Sequence, residues 1–280
     1  MIVAGTPSWG GPKDEEKSDE ERNSRRAQPG RAGVSEGRIR IGIGGWTYPP
    51  WRGVFYPDKW PQARELEYAS RQLGVIEINA TFYGRQKPKS WETWEKIVPD
   101  GFQFAIKGSR YCVSRSKLAE SADSIANFFG QGFGVLGAKL GPVLWQFAPF
   151  KRFDRDDIAA FVDLLPMELD GIALRHAIEP RHASFHDDKF FDLCRARNIA
   201  VVFEDSDKYP LIEADTADFA YARLQQMSED IATGYDDKAL DGFAAKARTW
   251  QKRGDAYIFM INGAKVRAPA AALALQERLR

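Results

Sequence analysis

The chain has 280 residues, close to the roughly 250 typical of one (β/α) barrel and long enough to bury a large core. Its 40 basic and 39 acidic residues nearly cancel to a formal charge of +1, so no net field draws it to nucleic acid or an anionic membrane, although a local patch can still steer a ligand. Only Cys112 and Cys194 are present, without CxxC spacing or a Cys/His cluster, which argues against a disulfide framework or a structural zinc site and fits a reducing, cytoplasmic setting.

Residues 1–37 are rich in Gly, Ser, Glu, Lys and Arg, with the runs DEEKSDEER and NSRRAQPGRAG and almost no large apolar residues. Such a segment cannot bury enough surface to offset its ordering entropy, so it is expected to be a disordered charged tail; a partner-binding arm is the alternative. It lacks a basic stretch leading into an apolar one, and no run of about 18 apolar residues occurs anywhere, so neither secretion nor a membrane span is expected.

From Ile39 onward short apolar runs alternate with amphipathic stretches. The predicted strands are IRIGIGG (39–45), VIEIN (75–79), FQFAIK (102–107), PVLWQF (142–147), GIALRHAIE (171–179), IAVVFED (199–205), FAYARL (219–224) and AYIFMIN (256–262). Predicted helices between them include 63–73, 124–133, 154–165, 188–198 and 239–253. This alternation implies parallel strands with crossover helices, and eight strands predict an α/β fold, a TIM-like (β/α)8 barrel forming a single domain over 38–280. The connection 205–217 shows no convincing helix, which keeps an open doubly wound sheet as the alternative. Against that sheet, no GxGxxG follows the first strand and no GxxxxGK[ST] occurs, so no nucleotide cofactor is indicated. Gly42, Gly44 and Gly45 are read as close backbone packing in the barrel interior.

A parallel strand buried on both faces should be continuously apolar, so charge near its C-terminal end needs a reason. Here Glu77 and Asn79, Lys107, Gln146, Glu179 and Arg181, Glu204 and Asp205, Arg223, and Asn262 lie near the ends of successive strands. A barrel gathers such residues at its C-terminal mouth. Glu77, Glu179 and Asp205 are candidates for general acid and base; Lys107, Arg181 and Arg223 are candidates to hold a phosphate or carboxylate. The alternative is an ion-pair network that plugs the barrel top.

Trp46, Tyr48, Trp51, Phe55 and Tyr56, with Phe82 and Tyr83, flank the proposed mouth and either stack on a ligand or cap the loops. His176, His182 and His186 fall in one segment and, with Glu179 and Asp205, offer nitrogen and oxygen donors for a divalent metal. Their spacing matches no zinc signature, and the preferred reading has no metal. Ser184 lacks a nucleophile elbow. Cys112 is expected in an exposed, charged loop as an incidental thiol.

Taken in order, GGWTYPPWRGVFYP (44–57), EINATFY (77–83), DGFQFAIK (100–107), LGPVLWQF (140–147), IEPRHASF (178–185), VFEDSD (202–207), TADFAYARL (216–224) and YIFMINGAKVRAPAAALAL (257–275) make the chain resemble the YecE-like family, the domain of unknown function 72. The resemblance implies a TIM-barrel-like fold and little about activity. It carries over motif positions onto Trp46, Tyr48, Trp51, Glu77, Asn79, Thr81, Phe82, Tyr83, Lys107, Gln146, Glu179, Arg181, Asp205, Tyr221 and Arg223. The chain departs from the family pattern at MING (260–263), APAAA (268–272), Phe185 and Gln225–Gln226.

These readings predict an enzyme acting on a phosphorylated or polyhydroxylated small molecule. Two alternatives stand beside it: a barrel that binds or processes nucleic-acid phosphodiesters, with an architecture like that of endonuclease IV, and a binding barrel without turnover.

Overall fold

The computed structural model describes residues 36–280, so most of the segment expected to be a disordered tail lies outside the described residues. Four strands come first: β1 (Ile39–Gly44), β2 (Val75–Ile78), β3 (Gln103–Lys107) and β4 (Leu140–Gln146). A short antiparallel hairpin follows, β5 (Glu168–Leu169) and β6 (Ile172–Ala173), and then β7 (His176–Glu179), β8 (Ala200–Val201), β9 (Phe203–Asp205), β10 (Ala220–Leu224) and β11 (Ala256–Met260).

Nine strands form one all-parallel sheet in the order β8-β7-β4-β3-β2-β1-β11-β10-β9. Its two end strands, β8 and β9, are separated only by Val202, so the sheet curls back on itself into a nearly closed barrel. The fold is therefore the TIM-like barrel, and the open doubly wound alternative falls.

Two of the eight predicted strands are interrupted. The segment 171–179 is not continuous: Asp170 and Gly171 take positive φ (51° and 80°) and make the two-residue turn of the β5–β6 hairpin, β6 ends at Ala173, and β7 begins only at His176. Only His176–Glu179 enters the barrel. The segment 199–205 splits at Val202: β8 pairs with β7, and β9 pairs with β10. Between β8 and the start of β10 the ladder is missing, and Thr216 patches it. Its hydroxyl accepts from the Val201 N–H at 3.0 Å and donates to the Ile199 carbonyl at 2.7 Å.

Helices Glu65–Gln72, Pro88–Ile97, Ala122–Phe129, Arg155–Asp163, Asp188–Ala196, Asp237–Gln251 and Ala268–Glu277 bury apolar stripes against the outside of the sheet. Asp154, Asp187 and Asp236 start three of them by accepting from backbone N–H groups of the first turn. The helix expected over 124–133 stops at Phe129, before Gly130 and the left-handed Gly132. Among the described residues no helix or strand stands between Asp205 and Ala220. None of the described helices is long and apolar enough to cross a membrane.

Cys112 corrects one expectation. Ser109 caps a helical turn, Arg110–Val113, which turns Cys112 into the core with no exposed surface, where burial pushes the thiol up to about 12.

Side chains alternate across each strand, and this period fixes what fills the barrel. Inward positions carry Val75, Ala105, Leu144, Ala177, Val202, Tyr221 and Phe259, an apolar plug. Two residues further along the same faces stand Glu77, Lys107, Gln146, Glu179, Glu204 and Arg223, all buried. On β1 the inward positions are glycines. A Cβ on Gly42 would lie 1.7 Å from the Val75 carbonyl oxygen, and one on Gly44 would lie 2.6 Å from the Ile261 side chain.

Candidate active site at the barrel mouth

The polar layer is organised around Arg223. Its Nε and Nη2 donate to the two carboxylate oxygens of Glu77, both at 3.1 Å, and its Nη1 donates to Glu179 Oε2 at 2.5 Å. Tyr221, one inward step below on the same strand, donates its hydroxyl to Glu77 Oε2 at 2.6 Å. This fork geometry satisfies both Glu77 oxygens inside the barrel, as a buried ion pair requires.

Glu179 is held equally firmly. Besides Arg223, it accepts from Gln146 Nε2 at 2.8 Å and Arg181 Nε at 2.7 Å. Burial pushes its carboxyl up, but the charges of Arg223, Arg181 and Lys107 outweigh burial and hold it at about 2. Glu204 behaves oppositely. Burial and the adjacent Glu179 charge push it up to about 8, against the pull of Arg181 and Arg223. It accepts at Oε1 from Gln225 and, at 3.4 Å, from Arg181, whereas its buried Oε2 has no hydrogen-bond partner among the described residues. The surroundings thus shift two neighbouring carboxyl groups in opposite directions.

Lys107 ends β3 with its stem buried and its ammonium over the Phe82 ring, 4.7 Å from the centroid. Thr81 fixes its main chain by donating to the Lys107 carbonyl at 2.6 Å. Burial, then the Arg223 charge, lowers Lys107 to about 8, although Glu77 and Glu179 act in the opposite direction.

Two cavities open above this layer and meet at Asn262. The first, ≈470 Å³, is lined by Trp46, Trp51, Asn79, Tyr83, Trp94, Lys107 and Lys265 and has no carboxylate in its wall. The second, ≈440 Å³, is lined by Arg181, Lys208, Tyr209, Gln225 and Asp207. The accessible walls therefore hold four cations and one carboxylate, a balance that favours an anionic ligand. Another cavity of ≈470 Å³ lies at the barrel seam, beside Val201, Tyr221 and Trp250. Its Glu213, Asp215, Lys246 and Arg253 pair with one another, which leaves no free charge to recognise a ligand.

The structure brings Glu77, Lys107, Gln146, Glu179, Arg181, Tyr221 and Arg223 into one network and sets Asn79 beside it, its amide donating to the Glu77 carbonyl at 3.4 Å. Asp205 falls outside, because strand alternation turns it away from Glu204. It accepts instead from Tyr235 at 2.8 Å and Gln226 at 2.6 Å. Among the aromatics, Trp46 and Tyr83 reach the first cavity, Tyr83 with 68% of its surface exposed. Trp51 also touches that cavity but is itself buried, its indole N–H donating to the Lys265 carbonyl at 2.9 Å. Tyr48 lies under Lys265, 4.6 Å from ring centroid to ammonium.

Glu204 is the site residue that the acid–base assignment passed over in favour of its neighbour. Strand alternation separates the two: 202 and 204 share the inward face, and 205 does not. Gln225, which departs from the family pattern, accepts at Oε1 from Asn262, which the pattern keeps, at 2.6 Å and donates to Glu204, so that departure touches the carboxyl layer directly.

The histidines do not converge with Glu179 and Asp205. His176 accepts from Trp145 at 3.1 Å and contacts the Pro166 carbonyl, His182 caps the turn at Ser184, and His186 is exposed. Among the described residues no group of three His, Cys, Asp or Glu side chains stands close enough to hold a metal.

The family model described as "Protein of unknown function DUF72" matches residues 40–280. The curated UPF0759 protein YunF of Bacillus subtilis (strain 168) is 28% identical over 127 residues, 43% of this chain and 44% of that protein, so the match spans less than half of the relative. The crystal structure of a DUF72 family protein from Thermotoga maritima MSB8 superposes with a TM-score of 0.69 at 20% identity, covering 85% of this chain and 97% of that one. A xylose isomerase-like TIM barrel/4-hydroxyphenylpyruvate dioxygenase fusion protein superposes with a TM-score of 0.50 at 14% identity, covering 88% of this chain and 44% of that one. At these identities the two structures speak to the fold alone.

Proposed function

The chain belongs to the DUF72 family, and on that premise we propose that its barrel mouth is the active site of an enzyme that moves protons on a small phosphorylated or polyhydroxylated molecule. The observation that carries this reading is the contrast between Glu179, whose oxygens accept from Gln146, Arg181 and Arg223, and Glu204, whose buried Oε2 has no partner among the described residues. The surrounding cations hold the first carboxyl toward the ionised form, and burial beside Glu179 pushes the second toward the protonated form, the division that acid–base sites use.

Glu204 is the proton carrier in this reading. Glu77 and Glu179 have both oxygens engaged, and Asp205 faces away. Glu179 and Arg223 act as fixed charges that set the affinity of Glu204. Arg181 presents its guanidinium to the second cavity, and Lys107 and Lys265 face the first, so the anionic group has partners on both sides of Asn262. Trp46 and Tyr83 offer faces on which a sugar ring stacks. Isomerisation and hydrolysis both fit this equipment.

The test is a thermal-shift panel of sugar phosphates, polyol phosphates, free sugars and short DNA, run on the wild type, Arg181→Ala and Glu204→Gln. A ligand at 100 times its dissociation constant stabilises by about 2.7 kcal/mol. A sugar or polyol phosphate should give such a shift, weakened in Arg181→Ala. A shift with DNA alone, or shifts unaltered by Arg181→Ala, would refute the reading.

A further inference from the structure

We infer that Lys107 is a nucleophilic lysine whose amine forms an imine with an aldehyde or ketone bearing an anionic group. The inference rests on the reading of the mouth as a site for a small anionic molecule, and it adds the functional group that the molecule carries.

Four described cationic side chains are buried, and three of them are neutralised at close range. Arg40 pairs with Asp255 at 3.1 Å, Lys151 bonds to Asp157 and to the Ser116 carbonyl, and Arg223 pairs with Glu77 and Glu179. Lys107 is the exception: among the described residues its ammonium has no carboxylate within 4.0 Å and no hydrogen-bond acceptor. A structural lysine that satisfied only the barrel would end on one of the carboxylates of its own layer. This one instead ends over the Phe82 ring and in the wall of the ≈470 Å³ cavity.

Its surroundings match those that activate lysines for carbonyl chemistry, namely an apolar sleeve and a second cation nearby. Here burial supplies the first and Arg223 the second, lowering the amine to about 8 although Glu77 and Glu179 act in the opposite direction. The step balances without any redox partner. The Lys107 ammonium first releases a proton to solvent. The neutral nitrogen attacks the carbonyl carbon, and a proton passes from that nitrogen to the oxygen to give a carbinolamine. Glu204 protonates the departing hydroxyl, which leaves as water while the nitrogen lone pair forms the C=N bond, and the Glu204 carboxylate regains a proton from solvent. The sum converts a carbonyl and an ammonium into a protonated imine and one water. Arg181 and Lys265 remain charged to hold the anion.

The test uses the full chain with substoichiometric pyridoxal 5′-phosphate, an anionic aldehyde, followed by borohydride reduction and peptide mapping. An ordinary lysine has a pKa near 10.4, so at pH 7 Lys107 holds roughly two orders of magnitude more neutral amine, and its labelling should exceed that of any exposed lysine by at least about tenfold. The labelling rate should rise through pH 8, and in Lys107→Arg no other lysine should be labelled at that rate. Labelling spread over exposed lysines, with Lys107 no faster, overturns the inference. Sorbitol 6-phosphate, which has the anion and hydroxyls but no carbonyl, separates the two claims. If it stabilises the wild type and no imine forms, only the nucleophile fails; if it neither stabilises nor protects and no imine forms, the site reading fails as well.

Discussion

The guanidinium of Arg223 is shared between Glu77 and Glu179 in a part of the barrel closed to water, so each of the three residues depends on the other two. Removing one partner leaves an uncompensated buried charge, a loss of about 3–5 kcal/mol in comparable pairs. Glu77→Gln should therefore lower the urea-unfolding free energy by roughly that amount, whereas Asp205→Asn, outside the network, should cost far less. Linkage gives Glu179 and Glu204 opposite signs. The carboxyl of Glu179 is held at about 2 when folded, below its unfolded value near 4.3, so its stabilisation is present above pH 4.3 and is lost as pH falls toward 2. For Glu204 the folded value, about 8, exceeds the unfolded one, so between about pH 4.3 and 8 the folded state holds a proton that the unfolded state releases. Stability falls with rising pH across that window. Glu204→Gln should lose less stability than the wild type between pH 5 and 8 in parallel urea titrations.

At the level of elements, the weakest joint is the one where the sheet closes. A single hydroxyl, that of Thr216, serves both Ile199 and Val201 where a ladder would otherwise run. Thr216→Val keeps the shape and orphans two backbone groups, and it should cost about 1–3 kcal/mol in the same unfolding assay. Gly42→Ala should be more damaging, since its Cβ would overlap the Val75 carbonyl and β1 would have to move away from β2. Six predicted strands appear with small shifts at their ends, because apolar runs between turn residues are strong local signals. The other two failed for local reasons. Asp170–Gly171 is a hairpin signal lying against a predicted strand, and the break at Val202 leaves no mark in hydrophobicity because both halves are apolar. Pro88–Ile97 went unpredicted although Pro at the first helical position and the buried Trp91 mark it.

In the whole molecule, one period-two face per strand runs from apolar plug to charged layer, and the barrel superposes these faces at one mouth. That charged residues cluster at the strand ends is legible in the sequence. Which of two adjacent carboxylates faces inward is not, because it depends on strand register; hence Asp205 stood out in the sequence and Glu204 occupies the site. Equally hidden were the saturation of Arg223 by two carboxylates and the freedom of Lys107, which depend on distances across the barrel. The central claim is that the mouth keeps a protonated carboxyl at Glu204 beside an ionised one at Glu179. The most direct measurement is a side-chain carboxyl titration by 13C NMR, with Glu204→Gln to assign the signal. One glutamate titrating near pH 8 and missing from Glu204→Gln is the predicted result; a Glu204 signal titrating near the ordinary value of about 4.3 would contradict the account.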